Sequence, residues 1–141
     1  MKGTRPILLV EDDRVDVISV RRAFKDLKIT NPLEIATDGE QGLEFLTNPD
    51  NQVPCLILLD INMPRMNGIE FLKVVKSKEN LRRIPVIVLT TSKGDRELVD
   101  SFDYGVAGYM VKPANYLQFM EVMKAINLYW TISEIPDQGG K

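Results

Sequence analysis

The sequence predicts an α/β fold in which a parallel sheet is covered by helices on both faces. Three observations predict it. The short apolar runs Ile7 to Val10, Leu56 to Leu59 and Val86 to Leu89 do not alternate with polar residues. Such runs suit strands buried on both faces. Stripes of helical period lie between them. Each run also ends on polar residues able to do chemistry.

Taken in order, Ile7 to Val10 is the first strand, and the first helix follows with Val17, Val20, Phe24 and Leu27 on one face. Asp13 is placed to cap that helix. Asn31-Pro32 leads into a second strand, Leu33 to Ala36. Asp38 and Gln41 resemble a capping box ahead of Leu43 and Leu46. The polar loop Thr47 to Pro54 protrudes before the third strand, which begins at the lone Cys55, a small core residue. Asn67 and Glu70 start a third helix carrying Leu72 and Val75. After the fourth strand, Asp95 to Tyr104 presents Leu98, Val99 and Phe102, and Gly105 is a stop signal. Tyr109 to Val111 is a weaker fifth strand. The last helix is expected from about Ala114 to Tyr129, with Phe119, Val122, Met123, Ile126 and Trp130 on its main stripe. Five strands alternating with five helices read as a right-handed, doubly wound sandwich.

Composition narrows the function. With 141 residues the chain suits one domain. Apolar residues make up 44% and charged residues 27%, ordinary values for a globular protein, and the net charge is −2. The basic residues are scattered, the longest runs being Arg21-Arg22 and Arg82-Arg83, which argues against nucleic-acid binding. One cysteine excludes an internal disulfide, and the absence of histidine excludes histidine ligands, histidine bases and a phosphohistidine on this chain. No stretch has the length of a membrane span or the form of a signal peptide, so a cytoplasmic location is expected. The last residues, Ile135 to Lys141, read as a frayed tail.

In a parallel sheet the carboxyl ends of the strands share one edge, where open α/β sheets bind ligands. Glu11, Asp12 and Asp13 follow the first strand, Asp60 the third, Thr90 and Thr91 the fourth, and Lys112-Pro113 the fifth. Clustered carboxylates repel and call for a cation. Oxygen ligands alone suit magnesium, with calcium second. A lysine and a hydroxyl opposite would complete an electrostatic clamp for phosphoryl transfer, with a carboxylate as nucleophile.

The ordered set LLVEDD, LLDINMPRMNG, VIVLTTS and GYMVKP resembles the receiver domain of two-component response regulators. The resemblance covers Pro6 to Tyr129 and implies a CheY-like sheet of order 2-1-3-4-5. Residues 6–130 would be the receiver domain and 131–141 a short tail with no output domain. It also implies roles. Asp60 would be the phosphoacceptor, attacking a phosphohistidine on a partner sensor histidine kinase. Asp12 would hold Mg2+ directly, Glu11 through water, and the backbone carbonyl of Asn62 would complete the protein ligands beside Asp60. Lys112, ahead of a cis peptide to Pro113, would neutralise the phosphoryl group. Thr90 would move onto it, and Tyr109 would swing inward, coupling the site to the face of the fourth helix, fifth strand and fifth helix. The protein would signal without being an enzyme, apart from assisting its own phosphotransfer and dephosphorylation.

Several readings compete. A phosphatase of the haloacid-dehalogenase type would carry a second aspartate where Asn62 stands. A dinucleotide-binding domain would offer glycine amides where Glu11 to Asp13 stand. Asp13 reads as a cap before a ligand, Arg65 as solvated, and Gly68 as a residue of turn geometry. Within the receiver reading the output is a protein contact. The alternatives are relay of the phosphoryl group to a histidine phosphotransfer protein, or a scaffold independent of phosphorylation. Leu117, Met120 and Leu128, with Lys124 among them, form a second ridge off the main stripe, which suits either packing under a loop or a homodimer. The segment YWTISEIP resembles the C-terminus of regulators serving phytochrome-type kinases.

Overall fold

A computed structural model describes residues 5–61, 63, 65–90, 104–111, 117, 120, 121 and 123–125. The elements are β1 (Ile7–Val10), α1 (Arg14–Asp26), β2 (Leu33–Ala36), α2 (Gly39–Thr47), β3 (Leu56–Asp60), α3 (Gly68–Ser77), β4 (Val86–Thr90) and β5 (Gly108–Val111). Helical residues among 117–125 mark a further helix. The helix expected from Asp95, most of the last helix and the tail lie outside the described residues.

The sheet is five-stranded and parallel throughout, in the order β2-β1-β3-β4-β5. The apolar runs explain its burial. On β1 and β3 every residue is buried, because alternate side chains point to opposite faces and both faces are covered. Ile7 and Leu9, with Leu56, Leu58, Ile87, Leu89 and Met110, pack against Val20, Ala23 and Phe24 of α1 and against Met123. Leu8 and Val10, with Ile57, Leu59, Val86 and Val88, pack against Phe71, Leu72 and Val75 of α3. Leu43 and Leu46 of α2 join that second face. Each fully buried Leu or Ile contributes about 1.5–3 kcal/mol relative to exposure. β2 is half exposed, as an edge strand should be.

Helix starts follow their caps. The Asp13 carboxylate accepts from the Val15 and Asp16 amides, as expected of a cap. The Asn67–Glu70 pair forms a full capping box. At α2 only half of the expected box forms. Asp38 accepts from the Gln41 amide at 2.9 Å, but the Gln41 side chain accepts from Thr37, one residue earlier than the box requires. Gly105 has φ +68, the left-handed geometry its reading as a stop requires. Cys55 is buried and takes part in no disulfide among the described residues. Met120, expected off the core stripe, packs partly against the α1 face of the core.

Candidate functional site

Strand register brings the acids together. Val10 pairs with Leu59 and with Ala36, so Glu11 and Asp60 leave adjacent strands at the same level. The Glu11 amide extends the ladder by donating to the Ala36 carbonyl at 2.9 Å. Glu11 is 0% exposed and Asp60 3%, whereas Asp12 faces solvent. One carboxylate oxygen from each of Glu11, Asp12 and Asp60 lies within 4.8 Å of the others. The Asp13 amide donates to Glu11 Oε2 at 3.2 Å, which orients that carboxylate at the entry to α1.

Three carboxylates at this spacing, two of them buried, repel strongly in a medium of reduced dielectric. The donor set is all oxygen, with one exposed member through which a hydrated ion can enter. That fits a hard divalent cation retaining several waters. Asp13 is spent on the α1 cap, so the cluster has three members rather than four.

Asp60 pairs in register with Leu89, one residue before Thr90, and Thr90 pairs with Val111. The backbone of Thr90 therefore ends on the same edge as the acids. Its hydroxyl, Asn62, Lys112 and Pro113 lie outside the described residues. Tyr109 on β5 is half-buried and packs with Tyr104 and Val106 against the α3 face of the core.

Two features were not legible in the sequence. Arg65, expected to be solvated, is exposed, yet its Nη1 lies 3.5 Å from Asp38 Oδ2. Its φ is +58, an uncommon geometry for a residue with a side chain. Gly68 is required by close approach rather than by turn geometry. A Cβ there would collide with the carbonyl oxygen of Asp60 and lie 2.7 Å from Ile61 Cα. The Gly68 amide donates to the Ile61 carbonyl at 2.9 Å, closing the base of the loop that leaves Asp60. No sequence pattern joins Asp38 to Arg65, and a glycine before a helix reads equally as a turn.

A doubly wound sheet of order 2-1-3-4-5 with an acid cluster at its carboxyl edge defines a CheY-like receiver fold. Residues 7–124 match the response regulator receiver domain family, and the chain belongs to it. It is 35% identical over 127 residues to the probable methanogenesis regulatory protein FilR2 of Methanothrix harundinacea, spanning 88% of this chain and 82% of that protein. It is 35% identical over 128 residues to the response regulator Rcp1 of Synechocystis, spanning 88% of this chain and 87% of that one. The Mn2+-bound structure of Rcp1 superposes with a TM-score of 0.83 at 33% identity, covering 94% of this chain and 99% of that chain. The phosphorylated cyanobacterial phytochrome response regulator RcpA gives 0.83 at 32% identity, covering 96% of this chain and all (100%) of that one. Among the described residues no helix is long and apolar enough to cross a membrane.

Proposed function

We propose that the chain accepts a phosphoryl group on Asp60 from a sensor histidine kinase in a Mg2+-dependent reaction. The observation that carries this reading is the convergence of Glu11, Asp12 and Asp60 within 4.8 Å at the carboxyl edge of the sheet. An Asp60 oxygen attacks phosphorus as the P–N bond to the kinase imidazole breaks. The displaced nitrogen leaves with its electron pair, and an acyl phosphate remains on Asp60. Asp12 and Asp60 would hold the cation directly and Glu11 through water, and Asn62 would contribute its backbone carbonyl. When bound, the cation would offset the carboxylates and the charge on the phosphoryl oxygens. Burial of Glu11 and Asp60 excludes competing water from one side. Lys112 and the Thr90 hydroxyl then hold the phosphoryl oxygens, and Tyr109 transmits the change to the β5 face.

The likeness to the phytochrome response regulator RcpA favours a phytochrome-type kinase as donor. Residues 6–130 act as the receiver, and the output is a contact with another protein in the cytoplasm. The chain thus signals rather than turning over a substrate. A homodimer through the face of the fourth helix, β5 and the last helix is part of this reading, supported by the 77% exposure of the helical residue Leu117.

Incubation with Mg2+ and acetyl phosphate is expected to add one phosphoryl group by mass. Chelation with EDTA and the substitution Asp60→Asn should each abolish it. No addition to the native chain would overturn the reading, and undiminished addition in Asp60→Asn would overturn the assignment of Asp60.

A further inference from the structure

The loop between Asp60 and α3 is fastened at two places. Its base is closed by the Gly68 amide on the Ile61 carbonyl at 2.9 Å. Its far end rests on the start of α2, an element reached 27 residues earlier in the chain (65 − 38). Three contacts make that second attachment. Arg65 Nη1 lies 3.5 Å from Asp38 Oδ2. The Gly39 amide donates to the Met66 carbonyl at 3.0 Å. Gly39 also has no room for a side chain, since a Cβ would lie 2.6 Å from Met66 Cγ and 2.7 Å from the Met66 carbonyl oxygen.

The carboxylate of Asp38 is shared between two tasks. One oxygen caps α2 through the Gln41 amide, and the other faces the guanidinium. The Asp38 side chain is only 5% exposed, so its position is set by the α2 start and not by solvent. Arg65 reaches it from φ +58, an uncommon backbone conformation for a residue bearing a side chain.

We propose that Asp38, Gly39 and Arg65 form a latch that positions the loop following Asp60 for cation binding. They are positioning residues, since none belongs to the acid cluster. The inference rests on the reading of that cluster, with the Asn62 carbonyl, as a divalent-cation site. Groups that orient a metal's ligands commonly alter affinity tenfold or more when removed.

The test is a titration of the full chain with Mn2+, read by electron paramagnetic resonance of the free ion at fixed ionic strength. Three variants separate positioning from simple charge. Removing a cation in Arg65→Ala should tighten Mn2+ binding if only the local field matters. Removing an anion in Asp38→Asn should weaken it, and Gly39→Ala, which changes no charge, should do nothing. The latch predicts weaker binding in all three, by about tenfold, with Arg65→Lys recovering part of the loss. Thermal unfolding of the metal-free chain accompanies each titration. A merely structural role would lower the metal-free Tm of Arg65→Ala and leave its affinity unchanged. Affinity in Arg65→Ala equal to or tighter than native overturns the latch. Failure of the native chain to bind Mn2+ overturns the cation reading itself, a distinguishable result.

Discussion

Gly68→Ala tests the packing behind the phosphoacceptor most directly. The added methyl would lie 2.7 Å from Ile61 Cα and 3.0 Å from Ile61 Cδ1, and closer still to the Asp60 carbonyl oxygen. Ordinary contact begins near 3.4 Å, so Ile61 and the start of α3 must separate by at least about 0.7 Å (3.4 − 2.7), and the Asp60 carbonyl demands more. The obstructing atoms are mostly backbone, held by β3 on one side and by the Asn67–Glu70 box on the other, so neither yields cheaply. Overpacking of this kind costs about 1–3 kcal/mol. For a chain of this size that is a fall in Tm of about 3–10 °C. The shift falls on the peptide of Asp60 itself. Because a 1 Å displacement in a reacting site costs on the order of 100-fold, uptake from acetyl phosphate should slow by at least about tenfold. Thermal unfolding and timed mass spectrometry measure the two effects. A Gly68→Ala variant with native Tm and native uptake would refute the reasoning. So would Gly68→Val behaving no worse than Gly68→Ala, since close approach predicts a penalty that grows with side-chain size.

Further outcomes are expected. Asp13→Ala should lose about 1 kcal/mol of stability by urea unfolding, the usual value of an N-cap. It should keep native Mg2+-dependent phosphoryl uptake, because Asp13 serves α1; lost uptake would make it part of the site. Burial raises the Cys55 thiol above its ordinary value of 9.0, so the folded chain holds the proton more tightly than the unfolded one. The associated stability is complete below about pH 9 and is lost as pH rises from the unfolded toward the folded value. Cys55→Ala should flatten that alkaline decline, and an unchanged pH profile would count against it. The native thiol should also react slowly with disulfide reagents at neutral pH and quickly in denaturant. Light scattering with beryllofluoride should report a dimer that Leu117→Glu converts to a monomer; a native monomer with and without beryllofluoride removes the dimer.

The sheet was legible because its signal is local. Four-residue apolar runs rich in Val, Ile and Leu and flanked by polar residues are too short for buried helices and suit strands covered on both sides, and β1, β3 and β4 follow from that. The caps at Asp13 and Asn67 were legible for the same reason, since a cap and its amides lie within three residues. At α2 the local signal misled. Asp38 can close a standard box with Gln41, but its second oxygen faces Arg65, and Gln41 turns back to Thr37 instead.

The residues that gather at the carboxyl edge could be named from the chain, because a parallel sheet must deliver every strand end to one side. How closely they approach could not. The spacing of Glu11, Asp12 and Asp60 depends on the register of β1 against β3, in which Val10 meets Leu59. Register is set by how two faces of side chains interlock with α1 and α3, a property of no single segment. The same holds for Gly68 and Arg65. A glycine forced by an oncoming carbonyl and an arginine drawn to a distant aspartate are consequences of packing. Sequence pattern reports which face of an element is apolar. Only the assembled core decides what stands across from it, because contacts between remote segments leave no periodicity in either one.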